Sequence, residues 1–444
     1  SSDETIVPTR GSDWYDGGTW LALHRHTWTA TQGDFEGGWN NAFTGVARAN
    51  VVLQTLETSD VPNKDQLFAE LRALRAFYYY QLMDLFGGVP IVGDDEYTID
   101  PDNLPARATR AEVFAFIESE LLAAREHLPE KWDAGGYGRM TKGAADALLA
   151  NMYLNAEVFT GTVSAGGLQK GAARWQDAVT TADRILNSGQ YRLLDNWADN
   201  FSPGNSGVQE HIFVVAYLPE GGLGMNFIHR LAHYNQFNPS PWNGFATLAE
   251  TYHAFDDADK RKEIFLAGQA YNLETGEPVN DRQGNPLVFT PEIENETNAG
   301  EGEGVRIYKF TADPNHVGPD NGNDYPFIRL AEIYLIKAEA LNEINGPNQT
   351  SIDLLNQLRA RVYDVDVPLQ LSDYPSKEAL RDRIMQERLF ELTYEAKRRQ
   401  DLIRAGKFTQ AWSFKGQTEP FRILFPVPQT QRDANPNLTQ NPGY

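Results

Sequence analysis

The sequence has no cysteine among its 444 residues, so disulfides, thiolate metal centres and cysteine nucleophiles are excluded. It has no run of about 18 apolar residues, so no segment reads as a membrane-spanning helix. No secretory signal pattern opens it. Histidine is sparse, and none follows His316. Positive charge is also short: 39 Lys and Arg face 61 Asp and Glu, a formal net charge of −22. Such a chain is repelled by nucleic acid and by anionic membrane surfaces unless a basic patch is hidden. No G-x-S-x-G elbow occurs, and no Ser–His–Asp order stands out.

What is present suffices for a packed core. Hydrophobic residues make up 41% and aromatic residues 11%, which argues against disorder. The length allows one large domain or two to three ordinary ones. The strongest local signal lies at 66–92. Leu67, Leu71, Leu74, Tyr78, Leu82 and Leu85 recur at steps of three and four, the period of one helical face. Phe68, Tyr79 and Phe86 widen that face, so the helix should be covered on more than one side. Gly87-Gly88 and Pro90 end it.

Further helices are expected at 38–57, 109–128, 141–160, 171–189, 327–343, 350–364 and 376–405. Thr109 with Glu112 forms a capping-box pattern, and Ser376 is a good N-cap. Asn50 falls on the apolar stripe of 38–57 and is expected to be a buried amide bonded to the backbone of a neighbouring helix. The Ala-rich helix–turn–helix succession is similar to tetratricopeptide repeats, although their strict consensus is absent. Residues 94–108 read as a polar loop. Residues 190–324 are rich in Gly, Pro, Asn and aromatics, with short strands at 211–217 and 306–310. An irregular segment this long inside a globular protein is usually functional.

Several constellations could carry chemistry. Glu387, Glu391 and Glu395 lie four apart, the spacing of one helical face. They suit an acid/base pair for glycoside cleavage. Arg388, Arg398, Arg399 and Arg404 interleave with them, which favours a structural ion-pair lattice, with Glu395–Arg399 as an i,i+4 pair. A di-iron site fails for want of histidine. His229 and His233 have the spacing of a helical zinc pair, but Arg230 stands where a metalloprotease has its Glu. The GEGEG at 300–304 lacks the Lys-Ser/Thr of a phosphate loop. Asp256, Asp257 and Asp259 lack the spacing of a calcium loop. There remain aromatics in loops: Trp14, Trp20, Trp28 and Phe35, then Tyr234, Phe237 and Trp242. Such rings either plug satellite cores or stack on the C–H face of a sugar.

Three passages carry a resemblance. LRALRAFYYYQLMDLFGGVPIV, the pattern of Arg329, Ala331-Glu332, Leu335 and Ala338-Glu339-Ala340, and the tail LFPVPQTQRDANPNLTQNPGY resemble, in this order, the signatures of the SusD/RagB family. Trp39, Phe43, Val46, Ala49 and Asn50 fit a fourth pattern of that family, and Phe255, Asp259 and Arg261 approximate a fifth. The resemblance implies a mainly α fold. Its tetratricopeptide-like helix-pair scaffold would span 38–189 and 325–405, with irregular loop-rich segments and a few short strands, all in one domain over 1–444. The family's usual first helix, signal and lipid-bearing Cys would precede this sequence.

It also implies a cell-surface, lipid-anchored, non-enzymatic outer-membrane protein. Such a protein captures an oligosaccharide or polysaccharide for a SusC-like TonB-dependent transporter. RagB-like peptide capture, a protein-binding helical-repeat scaffold and a glycosidase are the alternatives. No cofactor is implied, and a calcium elsewhere is left open. The family's site is assembled from an N-terminal loop and a middle loop. The ligand-binding residues expected here are Trp28 as platform beside Phe35, Trp242 and Tyr234 opposite, and Arg10 or His229 bonding hydroxyls.

Overall fold

The computed structural model describes residues 2–93, 103–364 and 367–444. Their structure is mainly helical, with strands only in five two-stranded antiparallel ribbons and no closed sheet. Two compact units form. One comprises the residues before Trp28, Tyr191–Leu402 and Gln410–Gln417; the other comprises Trp28–Gln190, Ile403–Thr409 and Thr418–Tyr444. The loop expected at 94–108 lies outside the described residues over 94–102.

The second unit contains the helices Gly33–Glu57, Lys64–Phe86, Arg110–Arg125, Lys142–Leu154 and Trp175–Leu186, each packed on the next. Lys64–Phe86 is covered by the helices on either side of it in this series, as its breadth of apolar residues requires. Its most buried face is not the leucine line. Ala69, Ala73, Ala76, Tyr79, Met83 and Phe86 are buried, whereas Leu67, Leu71, Leu74 and Leu85 are half-buried. Over 69–76 the inner positions are alanines, which let backbones approach; over 79–86 they are the larger Tyr79, Leu82, Met83 and Phe86. At Gly45 a Cβ would lie 2.3 Å from the Tyr78 ring. Gly87 ends the helix at φ 77°, and Thr109 and Glu112 form the expected capping box. Asn50 is buried, but its amide donates to Val92 O (3.2 Å) in the extended exit rather than to a helix. Arg75 donates to Asn50 Oδ1 and to Glu120, each at 2.8 Å.

In the first unit the helix Leu330–Asn345 packs against Gln349–Arg359 and Lys377–Leu392. Their shared core includes Leu335, Ala338, Ile352, Leu355, Leu358, Leu380 and Ile384. Three expected boundaries differ, and the simplest is the helix expected at 350–364, which ends at Arg359. Residues 327–329 belong to the strand Tyr325–Arg329, which pairs with His211–Val215. The helix expected at 376–405 is broken into Lys377–Leu392 and Arg398–Arg404, with Tyr394 and Ala396 at φ 65° and 60°. Left-handed backbone is unfavourable at non-glycine residues and persists only where its surroundings hold it.

A buried lattice of charges surrounds this break. Arg261 Nη1 donates to Glu387 (2.6 Å) and Glu391 (2.9 Å). Arg329 reaches Glu391 (2.6 Å), Glu210 (2.8 Å) and Glu395 (2.8 Å). Arg361 pairs with Glu210 and Glu391, and Lys309 with Glu395. Burial works to raise the Glu391 pKa, but Arg361, Arg329 and Arg261 outweigh it and hold the group well below the carboxylate range. A general acid needs the opposite shift. The three glutamates therefore form an ion-pair lattice, but with Arg261, Arg329, Arg361 and Lys309 in place of the interleaved arginines; Glu395 lies beyond the helix end and joins Arg329 and Lys309 rather than the expected Arg399.

Glu391→Gln should lower stability by about 3–5 kcal/mol, because it leaves buried guanidinium groups under-compensated. Urea unfolding monitored by circular dichroism checks this. Folded pKa values below the unfolded ones mean stabilisation that is complete above about pH 4.3 and lost as pH falls through the depressed values. The acid-side loss of stability should accordingly be shallower in Glu391→Gln than in the parent.

Candidate functional site

The N-terminal segment of the first unit is tied in by residue pairs at both ends. Thr5 and Ile6 pair with Thr247 and Ala246. Arg10 and Asp13 exchange backbone hydrogen bonds of 2.9 and 3.0 Å, closing a tight turn with Gly11 at φ 65°. This turn delivers Trp14, itself left-handed at φ 61°, against Trp20 (centroids 5.3 Å) and Phe245 (5.7 Å). The Trp14 indole N–H donates to Trp242 O. Gly244 is required there, because a Cβ on it would lie 2.3 Å from the Trp14 ring.

The facing loop follows the short helix Phe227–Leu231 and turns back on it. Trp242 N–H donates to His229 O (2.7 Å), and the Gly244 and Phe245 amides donate to Arg230 O (2.9 and 2.8 Å). The Arg230 guanidinium lies 5.6 Å from the Trp242 ring centroid and is held by Asn226 Oδ1 at 2.8 Å. Pro241 then brings Trp242 beside Tyr234, whose carbonyl accepts from the Ser240 hydroxyl at 2.8 Å.

Together these loops form an open pocket of about 370 Å³ lined by Ser12, Asp13, Trp14, Asp16, Tyr234, Pro241 and Trp242. That volume is at the small end for ligand sites. The Tyr234 hydroxyl donates to Asp13 Oδ2. Burial and the Asp13 carboxylate push the Tyr234 pKa up to about 12, so it remains a hydroxyl. Asp16 Oδ2 accepts from the Trp20 indole at 2.7 Å. Arg282 lies 4.2 Å from the Tyr234 ring centroid and is bound through Nε to Glu301. Burial would raise Glu301, but the Arg282 amide, His233 and the Arg282 side chain hold it at about 2. The pocket thus presents aromatic rings beside carboxylate and hydroxyl groups, a pattern suited to a ligand with a C–H face and a hydroxyl rim.

Of the residues expected at a site, Tyr234 and Trp242 line this pocket. Trp28 and Phe35 do not; they belong to the second unit and are 2% and 3% exposed. Trp28 donates its indole N–H to Tyr444 Oη at 2.7 Å and packs edge-on against Phe425, while Phe35 stacks on Phe425 at 4.5 Å. The expected Trp28 platform is therefore corrected to a core side chain, sealed by apolar rings and the C-terminal tyrosine.

Arg10 is also corrected. It is 2% exposed, and its guanidinium donates to the carbonyls of Asn243 (3.0 Å), Glu303 (2.8 Å) and Gly300, so it holds loops rather than a ligand. His229 is buried with Nε2 donating to Pro239 O at 3.0 Å, and burial lowers its pKa. His233 is bonded to Glu301 at 2.9 Å, so the two histidines are engaged separately. Among the described residues no group of three or more His, Asp or Glu side chains could hold a metal ion. Ser12, Asp13 and Asp16 were not expected at the site. Their only sequence signal is a Gly- and Asp-rich turn around a loop tryptophan.

The sequence profile of the SusD family matches residues 187–444. A second profile, described as starch-binding and associating with the outer membrane, matches 5–154. SusD-like protein P2 of Formosa agariphila is 26% identical over 439 residues, covering 91% of this chain and 80% of that protein. The starch-binding protein SusD of Bacteroides thetaiotaomicron is 26% identical over 431 residues, covering 85% and 72%. Among solved structures, a laminarin-binding SusD-like protein superposes with a TM-score of 0.78 at 24% identity, over 100% of this chain and 92% of the other. Surface glycan-binding protein A of B. thetaiotaomicron, in complex with laminarihexaose, gives 0.75 at 20% identity over 99% and 92%.

Mutation separates the two kinds of tryptophan. Trp28→Ala removes a core ring and should cost about 3–5 kcal/mol. Trp242→Ala, at the open pocket, should cost about 1 kcal/mol or less. Thermal unfolding of the two variants side by side checks the assignment.

Proposed function

The chain belongs to the SusD/RagB family of outer-membrane nutrient-binding proteins, and from that premise we propose that its Trp14–Tyr234–Trp242 pocket captures a glycan at the cell surface for delivery to a SusC-like TonB-dependent transporter. Like its family it is a binding protein and not an enzyme; capture makes and breaks no covalent bond. The observation that carries the reading is the convergence of three aromatic side chains with Asp13, Asp16 and Ser12 around one open pocket.

Aromatic faces take up the C–H face of a pyranose and release the water that covered both. Asp13, Asp16 and the Ser12 hydroxyl accept hydrogen bonds from the sugar's rim. The rings do not have to be ordered at the moment of binding, because Trp14 is braced by Trp20 and Phe245, and Trp242 by Arg230. A site that is already in place loses less entropy on binding. The relatives that bind laminarin or laminarihexaose support a glucan as the first ligand to try. Attachment to the outer membrane by an N-terminal lipid completes the proposal.

Calorimetric titration with laminarihexaose, followed by a glycan array, tests the pocket. A stacking ring contributes about 1–1.5 kcal/mol beyond burial. Trp14→Ala or Trp242→Ala should therefore weaken binding of the best array ligand by about tenfold, with the fold intact by circular dichroism. Normal binding by both variants would move the site elsewhere. The partner is checked separately: the native protein should co-purify with a TonB-dependent transporter from mildly solubilised outer membranes.

A further inference from the structure

We propose that this pocket selects an uncharged glycan and rejects one bearing carboxylate or sulfate groups. The inference rests on the glycan reading of the pocket and names the substrate class within it. Its first support is the sign of the lining charges. Asp13 and Asp16 are the ionisable acids of the pocket wall, and no Lys, Arg or His is among the lining residues.

The cations nearby are committed to other groups. Arg282 lies over the Tyr234 ring, donates to Glu301 and reaches Asp13 Oδ2 only at 3.5 Å. Its charge is offset by Glu301, a mostly buried carboxylate that would keep His233 but lose this guanidinium if Arg282 swung towards a ligand. Arg10 is buried with its nitrogens on the carbonyls of Asn243, Gly300 and Glu303. Arg230 lies over the Trp242 and Phe245 rings and is bonded to Asn226.

The hydrogen-bonding pattern points the same way. Asp13 Oδ2 is taken by the Tyr234 hydroxyl, and Asp16 Oδ2 by the Trp20 indole. No hydrogen bond is formed by the second oxygen of either carboxylate among the described residues, and both residues line the pocket. Sugar hydroxyls are donors and complete these carboxylates with charge-assisted bonds. The carboxylate of a uronate or a sulfate group brings acceptors and negative charge towards Asp16 and towards Asp13, whose charge Arg282 offsets only at 3.5 Å. The formal charge of −22 adds repulsion at longer range.

The test compares polymers of one backbone that differ in charge. Soluble β-1,3-glucan and amylose would each be titrated as the parent polymer, the uncharged hydroxyethyl derivative and the carboxymethyl derivative, with alginate and polygalacturonate as natural uronates. The hydroxyethyl form controls for bulk. The expected result is that a backbone that binds does so alike in parent and hydroxyethyl form, and about tenfold or more weakly when carboxymethylated. That gap should narrow in about 0.5 M salt and in Asp13→Asn/Asp16→Asn. Asp16→Asn alone, at a carboxylate bonded to the Trp20 indole, should narrow it partly if the double variant is unstable. Equal or tighter binding of a uronate or carboxymethyl polymer overturns the inference while leaving the glycan reading in place. A gap unmoved by salt and by both variants also overturns it, since the pocket carboxylates would not be its cause. Failure of every polymer to bind is a different result: it removes the glycan reading, and this inference with it.

Discussion

Arg261, Arg329 and Arg361 converge on Glu391 with their charges out of water, and the irregular half of the first unit is organised around that point. The lattice draws its members from distant stretches: Glu210 beside the strand His211–Val215, Asp259 and Arg261, Lys309, Arg329, Arg361 and the Lys377–Leu392 helix. The same stretches also share an apolar cluster that includes Phe201, Phe255, Phe265, Ile307, Phe310 and Phe390. Buried ion pairs are seldom more stabilising than well-packed apolar groups, yet losing one partner is costly. Such a lattice therefore specifies one arrangement of loops more than it adds stability. It also accounts for the broken helix. Glu395 meets Arg329 and Lys309 because the chain turns through left-handed Tyr394 and Ala396.

Buried guanidinium groups recur beneath the pocket, there without carboxylate partners among the described residues. Arg10 and Arg306 are both buried and direct their guanidinium groups at backbone carbonyls of 300–304 and at Asn243. Burial alone holds Arg10 down at about 10, so its charge is maintained at neutral pH with carbonyl dipoles as its solvent. Asn243 is the hinge of the arrangement. Its side chain receives Arg306 and donates to Glu301 O, and its carbonyl receives Arg10, one residue from Trp242. The Trp242 ring at the pocket wall is thereby tied to a rigid base. Loops with this much internal bonding can present a fixed binding face, which explains how a site made of irregular chain can be preorganised.

Much of the fold was legible in the sequence. Helical periodicity, the Thr109–Glu112 box and the Gly87 stop are local, because each depends on side chains within a few residues of one another. The lattice glutamates were legible as structural from their Arg-rich surroundings, but their partners were not, since Arg261 and Arg329 lie more than 60 residues away. Two members of the pocket, Tyr234 and Trp242, were readable as aromatics in an irregular segment. Trp14 was visible as a loop tryptophan without anything to raise it above Trp28.

By itself, then, the sequence determined the helical scaffold, the absence of thiol chemistry, the negative charge and the family. Tertiary structure alone decided which tryptophan meets solvent. Trp28 and Trp14 sit in similar polar, Gly- and Thr-bearing contexts, and no local rule separates them. Trp28 is covered by Phe35, Phe425 and Tyr444, two of them from the far end of the chain. Trp14 is braced from behind by Trp20 and Phe245, leaving part of it at a pocket wall. Burial is a property of what the rest of the chain brings to a residue, so the choice between core ring and pocket ring was made by long-range packing.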